Sequence, residues 1–302
     1  MRFKFFFLFI FYTLLFLFYP GDSFHFHIFS YNRSLFNKHE VKKTLKLLPL
    51  PYQKNQVVPY LSAQGVYVVY FPSFTPILEK NSKQKFLPAS TAKIISALVA
   101  YDIYKIDQVI QVKKTIKEGQ LMGLVLGEKI TVENLLYGIL VHSANDGAYV
   151  LADNFGYQKF IDLMNKKAKE LKMENTHFTD PAGLNEDKNQ HTTPFDLALA
   201  ARAILNHPYL SKIVAIKEIT VSDVDFKYFH RLSNVNRLLG EVAGIGGIKT
   251  GYTQEAGQNL VSFYKKNGHQ FIIIVLKSED RFLDTKNIID WINSNIDYLP
   301  LE

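Results

Sequence analysis

The sequence predicts a mixed fold of the α/β (α+β) class, in which an antiparallel β-sheet is flanked by helices and encloses an inserted all-helical subdomain. Three observations predict it. β-rich runs occur at residues 66–71, near the start of the folded region, and again within residues 247–276, near its end. The segment between them, at about residues 105–215, is dominated by helical patterning. Strands on both sides of a helical segment are typical of a sheet that is completed only when the chain returns to it.

Turn and capping signals predict the individual elements. The runs 66–71 and 76–79 flank the turn signal Pro72-Ser73 and predict a β-hairpin. A buried helix is predicted to begin near Ser90, and Thr131 is predicted to cap a second helix, with Asn134 at the reciprocal position. The remaining predictions are helices at Tyr157–Leu171, Phe195–Leu205 and Arg281–Asn293, strands at Glu218–Ser222, Phe226–Phe229, Gly247–Gly251, Asn259–Tyr264 and Gln270–Leu276, and a hairpin turn at Lys266-Asn267-Gly268.

The N-terminus predicts export. Arg2 and Lys4 precede an apolar run at residues 5–19, which is the pattern of a secretory signal. The run is short for a membrane-spanning helix, and no small-residue cleavage site follows it. Residues 1–23 are therefore predicted to be either a signal peptide or an uncleaved signal anchor, and residues 24–58 a polar, basic spacer. The catalytic domain is predicted to occupy residues 59–302 and to lie outside the cytoplasm.

The charge of the chain favours an anionic envelope over nucleic acid. The formal net charge is +7, with lysines clustered in the predicted spacer. No nucleic-acid recognition motif accompanies these lysines, so no nucleic-acid partner is predicted. The chain has no cysteine, which excludes a thiolate nucleophile. No metal or organic cofactor is predicted either, because the nine histidines show no ligand spacing such as His-Glu-x-x-His.

Ser90-Thr91-Ala92-Lys93 is the first of three short motifs that carry chemistry. Residues at i and i+3 share one face of a helix, so Lys93 can reach the Ser90 hydroxyl. A serine hydroxyl needs a neighbouring base, and a lysine serves as one only if burial or nearby cations lower its pKa. Lys93 lies in an apolar helix where a structural lysine would be costly. The motif predicts that Ser90 is a nucleophile activated by Lys93, and that Lys249 helps to keep Lys93 neutral.

The second motif is Ser143-Ala144-Asn145, predicted to lie in a loop between two helices. Ser143 is predicted to relay a proton to the leaving amine, while the Asn145 amide holds the substrate backbone. A capping turn is the structural alternative, because these residue types are favoured there. The adjacent His142 raises the possibility of a Ser-His-Asp triad, but the sequence has no Gly-x-Ser-x-Gly elbow and no evident acidic partner for it.

The third motif, Lys249-Thr250-Gly251, follows a glycine-rich stretch and is predicted to form a strand edge. A lysine and a threonine hydroxyl together can bind a terminal carboxylate, and Gly251 lets a substrate backbone approach. The backbone N–H of Tyr252, with that of Ser90, is the predicted oxyanion hole. An ordinary edge strand would also accept these residue types.

Together the three motifs resemble those of the serine D-Ala-D-Ala carboxypeptidases, the low-molecular-mass penicillin-binding proteins of the serine β-lactamase-like superfamily. The matching stretches are residues 87–93, 143–146, 178–184 and 247–253 with Ala256-Gly257, within a resemblance that covers about residues 60–294. It implies a β-lactamase/transpeptidase-like fold. It also implies acylation of Ser90 by a peptidoglycan pentapeptide ending in D-Ala-D-Ala, release of D-alanine, hydrolysis of the acyl-enzyme and covalent inhibition by β-lactams.

Three other activities remain possible at this stage. A DD-endopeptidase that cuts D-Ala cross-links would use the same residues. A serine β-lactamase is the second, although the 180–184 stretch lacks an obvious deacylating glutamate, and Asp180 and Glu186 are only the nearest acids. A penicillin-binding sensor without turnover is the third. Many relatives also continue into a C-terminal β domain with an amphipathic membrane helix, whereas here membrane attachment would have to come from residues 5–19.

Overall fold

The computed structural model describes residues 2–18, 49–186 and 189–299, and the chain divides into the units Met1–Leu47 and Leu48–Glu302. The described part of the first unit is the apolar helix α1 (Arg2–Phe18). Among the described residues, no helix reaches the length and hydropathy needed to cross a bilayer. Most of the predicted spacer, and the region after the apolar run where a signal would be cleaved, lie outside the described residues.

The second unit contains the other elements. Its helices are α2 (Lys93–Ile103), α3 (Val132–Leu140), α4 (Asn145–Phe155), α5 (Tyr157–Glu170), α6 (Pro194–Asn206), α7 (Leu210–Ile213) and α8 (Arg281–Asn295), with a 3₁₀-helix at Ala89–Ala92. Its strands are β1 (Pro51–Gln53), β2 (Gly65–Tyr70), β3 (Thr75–Lys80), β4 (Val109–Gln111), β5 (Lys129–Thr131), β6 (Glu218–Ser222), β7 (Phe229–Ser233), β8 (Ile245–Thr253), β9 (Gly257–Lys266), β10 (His269–Ser278) and β11 (Ile296–Tyr298).

The central sheet has five antiparallel strands in the order β3-β2-β10-β9-β8. The first strands of the unit therefore pair with the last, as predicted: Val68 of β2 lies opposite Ile273 of β10, which lies opposite Ser262 of β9. Strand β8, which carries the Lys249 motif, forms one edge. The predicted α/β (α+β) class with an antiparallel sheet flanked by helices is confirmed.

Alternating side chains of β2 enter two different cores, because successive residues of a strand point to opposite faces of the sheet. Tyr67 and Val69 join a cluster with α2 to α7, and the ring of Tyr67 packs edge-on against Phe195 of α6 at 5.4 Å. Val66 and Val68 join a second cluster, to which α8 contributes Trp291. Both clusters are built from residues 63–296, so the second unit contains its own complete cores.

The prediction that residues 105–215 form an all-helical subdomain is wrong in two respects. Strands β4 and β5 form a hairpin within this segment, with Ile110 opposite Ile130. Helix α6 packs directly on the sheet, as the Phe195 contact shows. The apolar residues of a short hairpin and of a sheet-covering helix are buried by partners distant in sequence, which periodicity does not reveal.

Two local predictions also need correction. The strand predicted at Phe226–Phe229 begins only at Phe229, because the Asp223 carboxylate accepts hydrogen bonds from the N–H groups of Lys227 (2.7 Å) and Tyr228 (2.8 Å) and holds this segment as a turn. Thr131 does cap α3, accepting from the N–H of Asn134 at 3.2 Å. The Asn134 side chain does not return the bond, since its Nδ2 donates to the carbonyl of Ser222 at 2.8 Å.

The folded domain begins before the predicted boundary at residue 59. Strand β1 pairs with β11, with Tyr52 opposite Asp297. The indole N–H of Trp291 donates to the carbonyl of Val57 at 2.5 Å. Residues 51–57 are thus attached to β11 through backbone pairing and to α8 through the Trp291 side chain, which their polar composition did not predict.

Candidate active site

Ser90 lies in the 3₁₀-helix that leads into α2, and Lys93 is the first residue of α2. In a 3₁₀ turn, side chains at i and i+3 lie almost directly above one another. The Lys93 Nζ is accordingly 2.8 Å from the Ser90 Oγ. The predicted contact between Ser90 and Lys93 is therefore present. It is made by a 3₁₀ turn, which is tighter than the α-helix predicted from the sequence.

Lys93 is fully buried, and two further oxygens surround its amine. Its Nζ donates to the Oδ1 of Asn145 at 2.6 Å and to the carbonyl of Ala182 at 2.9 Å. Burial lowers the pKa of Lys93 to about 7, and the carboxylates of Asp180 and Asp146 partly oppose the shift. An amine that is readily neutral near physiological pH can act as a base.

The three contacts determine where the lone pair of a neutral Lys93 amine points. A neutral amine has two N–H donors and one lone pair, while Asn145 Oδ1 and the Ala182 carbonyl can only accept. Both N–H groups are therefore directed to those oxygens, and the lone pair faces the Ser90 hydroxyl. This is the orientation that proton abstraction from Ser90 requires.

We expect acylation of Ser90 to accelerate as the pH rises through about 7, because the protonated amine of Lys93 has no lone pair. Below that pH the rate constant should fall about tenfold per pH unit. The measurement is the second-order rate constant for covalent labelling by penicillin between about pH 5.5 and 8.5. A rate constant that does not change over this range would contradict the assignment of Lys93 as the base.

The Ala182 carbonyl is held in place by the loop around Asp180. The Asp180 Oδ1 accepts from the N–H groups of Ala182 (2.8 Å) and Leu184 (2.9 Å). Its Oδ2 accepts from the hydroxyls of Tyr149 and Tyr157. Since both oxygens are engaged, Asp180 organises the loop and is poorly suited to act as a base.

Ser143 and Asn145 flank the junction between α3 and α4. Ser143 has a left-handed backbone with φ of 62°, is buried, and lines the same cleft as Ser90. Asn145 is the first residue of α4, and its Nδ2 donates to the carbonyl of Glu118 at 2.9 Å. With Oδ1 bonded to Lys93, the Asn145 amide orients the Lys93 amine, a contact that the sequence motif does not predict.

The loop that faces Asn145 forms one wall of the cleft. Gly119 and Gln120 line the cleft, and the N–H of Asn145 donates to the carbonyl of Gln120 at 2.7 Å. Asp146 accepts from three consecutive N–H groups further along this loop, those of Met122, Gly123 and Leu124. Asn145 therefore holds the Lys93 amine, and Asp146 holds the loop that forms this wall of the cleft.

Lys249 and Thr250 lie on edge strand β8, and both are buried. The Lys249 Nζ donates to the carbonyl of Thr250 at 3.0 Å. Burial, followed by repulsion from Lys93 and Arg281, lowers the pKa of Lys249 well below its usual value. Burial is the dominant cause of the lowered pKa of Lys93, and the contribution of Lys249 to keeping Lys93 neutral stays a prediction.

Strand β8 packs closely on the turn that holds the nucleophile. A Cβ added to Gly251 would lie 3.1 Å from the backbone N of Ser90 and from the carbonyl oxygen of Pro88. The Nδ2 of Asn259, on the neighbouring strand β9, donates to the carbonyls of Leu87 and Pro88 at 2.9 and 3.2 Å. The absence of a side chain at Gly251 permits this approach.

Arg281, at the start of α8, is a cleft residue that the sequence reading did not select. Its Nη1 donates to the carbonyl of Gly251 at 2.7 Å, and its Nε is buried without a hydrogen-bond partner among the described residues. Burial, followed by repulsion from Arg237, lowers its pKa. No motif marks this arginine, and only the pairing of β8 with β9 and the position of α8 bring it beside Thr250.

The cleft has a volume of about 240 Å³. Six of the eight predicted site residues line it, and Lys93 and Lys249 lie buried behind it. The six are Ser90, Ser143, Asn145, Thr250, Gly251 and Tyr252. His142 is directed elsewhere: its ring nitrogens contact the Gln120 amide and the backbone of Ser233. The described residues therefore form a Ser-Lys centre with further cations beside it.

Comparison with known proteins identifies relatives of this chain. D-alanyl-D-alanine carboxypeptidase DacF of Bacillus subtilis is 32% identical over 237 residues, which cover 74% of this chain and 60% of that protein. This chain thus spans about three fifths of the length of that relative. The Streptomyces K15 DD-transpeptidase structure matches with 27% identity and a TM-score of 0.71, covering 78% of this chain and 98% of that one.

A ligand-bound structure is also similar. Penicillin-binding protein D2 of Listeria monocytogenes, in its ampicillin-bound form, matches with 28% identity and a TM-score of 0.69, covering 77% of this chain and 98% of that one. Residues 54–280 match the family described as D-alanyl-D-alanine carboxypeptidase, peptidase family S11. These residues include the Ser90, Ser143 and Lys249 motifs. The chain therefore belongs to the D-alanyl-D-alanine carboxypeptidase family, S11.

Proposed function

We propose that this protein is a serine DD-carboxypeptidase that removes the terminal D-alanine from peptidoglycan stem peptides. The observation that carries the proposal is the buried Lys93 amine, 2.8 Å from the Ser90 hydroxyl. Its two remaining partners direct the lone pair to Ser90. Such a pair activates a serine for acyl transfer without a histidine.

In the proposed reaction, the Ser90 Oγ attacks the carbonyl carbon of the penultimate D-alanine while Lys93 takes the hydroxyl proton. The N–H groups of Ser90 and Tyr252 stabilise the oxyanion. The C–N bond then breaks, and Ser143 gives its hydroxyl proton to the departing amine of D-alanine while it takes up the proton held by Lys93. Water hydrolyses the resulting ester and regenerates the Ser90 hydroxyl.

The cations beside the cleft support a substrate that ends in a carboxylate. Thr250 and Arg281 line the cleft where β8 meets α8, and Lys249 is buried next to Thr250 on the same strand. Repulsion from Arg281 contributes to the lowered pKa of Lys249, and a bound carboxylate would oppose that shift. An arginine also offers two parallel N–H donors to a carboxylate, which a lysine does not.

The Asp180 contacts argue against the β-lactamase alternative. Its two oxygens already accept two backbone N–H groups and two tyrosine hydroxyls. A carboxylate used in this way is not available to activate water for rapid deacylation. β-Lactams are accordingly proposed to acylate Ser90 and to leave slowly, as covalent inhibitors.

A Ser90→Ala variant tests the nucleophile. After incubation with penicillin, mass spectrometry of the digested wild-type protein should show one added penicillin on the peptide that contains Ser90. The Ser90→Ala variant should show no added mass. Ser96→Ala is the matched control, because Ser96 lies on the same helical segment but its hydroxyl donates to the carbonyl of Pro181. Covalent labelling of the Ser90→Ala protein would disprove the assignment.

Product analysis separates the remaining activities. The protein is incubated with a D-Ala-D-Ala-ended peptide, with a D-Ala cross-linked peptide dimer and with penicillin. D-Alanine release with slow penicillin turnover supports the proposal, and preferential cleavage of the dimer identifies an endopeptidase. Fast penicillin hydrolysis would indicate a β-lactamase, and penicillin labelling without peptide turnover would indicate a sensor.

We propose further that the catalytic unit is exported, with α1 acting as a signal sequence. The Arg2 and Lys4 charges and the apolar residues that follow support this. If the signal is not cleaved, residues 5–19 would tether the protein to the membrane. Sequencing the N-terminus of the protein isolated from an expressing bacterium distinguishes a cleaved signal from an anchor.

A further inference from the structure

A group of apolar side chains is exposed at the turn between β6 and β7 and at the neighbouring turn 125–128. Phe226, Phe229 and Leu126 are 73%, 66% and 68% exposed, and Tyr228 and Val125 are also exposed. We call these five side chains the Phe226 patch. Exposed aromatic and aliphatic groups this close together mark interaction surfaces more often than isolated ones do.

The two turns that carry the Phe226 patch are joined by specific contacts. The N–H of Val224 donates to the carbonyl of Lys129 at 2.8 Å. The His230 Nε2 lies 2.7 Å from the Glu128 Oε1, and both side chains are buried. The His230 Nδ1 also contacts the carbonyl of Met122 at 2.9 Å. The backbone that carries the patch is therefore held in place by these contacts.

The exposure of the two phenylalanines follows from the backbone. Along β7, His230 and Leu232 point inward, so Phe229 is directed outward by strand alternation. Phe226 has a φ of 52°, a left-handed conformation that favours glycine or asparagine over an aromatic residue. An aromatic residue at such a position carries a conformational cost that no burial in the domain offsets. A partner outside the chain would explain its presence.

Lysines surround the Phe226 patch. Lys129 is exposed at the start of β5, and Lys227 is exposed on the turn between β6 and β7, where it lies 3.7 Å from Asp225. The backbone N–H of Val112 donates to the carbonyl of Glu128 at 2.8 Å. The next two residues, Lys113 and Lys114, are exposed and therefore lie beside the 125–128 turn. The surface thus combines exposed apolar side chains with an excess of positive charge.

We infer that the Phe226 patch binds the surface of an anionic phospholipid bilayer. In this arrangement Phe226, Phe229 and Leu126 enter the headgroup region, while Lys113, Lys114 and Lys129 contact lipid phosphates. Binding of this kind depends on buried apolar area together with attraction to anionic lipid. A second copy of the chain fits less well, since a two-fold contact would bring the same lysines face to face.

The surface adjoins the catalytic cleft. The loop that ends at the 125–128 turn also supplies Gly119 and Gln120 to the cleft wall. Bilayer binding would therefore hold the cleft close to the membrane even without α1. The inference does not depend on the proposed activity, because it rests on a different part of the surface.

The test uses residues 48–302, so that the apolar α1 does not itself bind lipid. This unit contains both of its cores, and the Streptomyces K15 chain corresponds to 78% of this one, so the unit is expected to fold alone. Co-sedimentation with phosphatidylcholine vesicles that contain or lack phosphatidylglycerol measures binding. The test variants are L126S/F226S/F229S and K113Q/K114Q. The matched control is V58S/Y60S, which removes residues 66% and 89% exposed outside the patch.

We expect binding to the anionic vesicles only, with a loss as the salt concentration rises. Each test variant should bind at least about tenfold more weakly, and V58S/Y60S should bind like wild type. In a separate Phe226→Trp protein, the added emission should shift to the blue with anionic vesicles, while the buried Trp291 contributes a constant background.

Three results would overturn the inference. One is equal affinity of the wild type and L126S/F226S/F229S for anionic vesicles. Another is concentration-dependent dimerisation of the wild type that this variant abolishes, with no vesicle binding by either protein. A third is binding to purified peptidoglycan, but not to lipid, that depends on Phe226. Circular dichroism and penicillin labelling of each variant confirm that the domain is folded.

Discussion

Replacing Lys93 with methionine is expected to lower the rate constant for acylation of Ser90 by about a thousandfold or more. Methionine fills a similar volume without an amine, so the Ser90 hydroxyl keeps its position but loses its base. It also leaves the Asn145 Oδ1 and the Ala182 carbonyl without the donor that now joins them. The measurement is the rate of covalent labelling by penicillin, followed by mass spectrometry.

Two controls accompany the Lys93→Met variant. Lys85→Met changes an exposed lysine close in sequence and should leave the labelling rate unchanged. The pH dependence of stability gives a second readout. Because burial lowers the pKa of Lys93 from 10.5 to about 7, the unfolded chain binds more protons in this interval, and wild-type stability should rise with pH there. The variant should show a weaker rise. Labelling at the wild-type rate would mean that another group is the base.

Replacing Gly183 with alanine is expected to disrupt both the fold and the site. A Cβ at this position would lie 1.9 Å from the carbonyl oxygen of Ala89, and the backbone φ of 79° is itself strained for alanine. Strain and clash together should cost about 3–4 kcal/mol of unfolding free energy. Displacement of the Ala182 carbonyl and the Ser90 turn should also slow acylation about a hundredfold.

The Gly268→Ala variant separates the backbone strain from the steric clash. Gly268 has a similar φ of 82°, but an added Cβ meets no atom within 4 Å. This control should lose only about 1 kcal/mol and keep the wild-type labelling rate. Denaturant unfolding and penicillin labelling of both variants give the comparison. If Gly183→Ala resembled Gly268→Ala in both measurements, the close approach of the 180–184 loop to the nucleophile's turn would have no energetic importance.

Local sequence signals predicted the parts of the site that lie within one or two turns of chain. The Ser90–Lys93 pair needs only a helical spacing of three residues, and the β2–β3 hairpin needs only alternation and a turn. The strand at Phe226–Phe229 was misplaced because an Asp223 side chain, which strand propensity does not consider, holds its first residues in a turn. The Thr131 cap was predicted correctly, but the distant Ser222 carbonyl took the Asn134 side chain.

Local sequence signals could not predict contacts between segments that are distant in the chain. Arg281 approaches Gly251 across 30 residues, and Ala182 approaches Lys93 across 89. Arg281 lies outside the matching stretches, and the 178–184 stretch does not by itself show that the Ala182 carbonyl contacts Lys93. The role of Asn145 was also incomplete, since its sequence motif does not show that Lys93 occupies its side-chain oxygen.

The sequence by itself determined the type of fold, most of the strands of its central sheet, and the selection of Ser90 and Lys93 as the predicted reactive pair. These depend on spacing, periodicity and residue chemistry, which are local properties of the chain. The tertiary structure decided whether Lys93 could be a base. Its pKa depends on complete burial and on oxygens from Asn145 and Ala182, and both arise only when three distant segments pack around one amine.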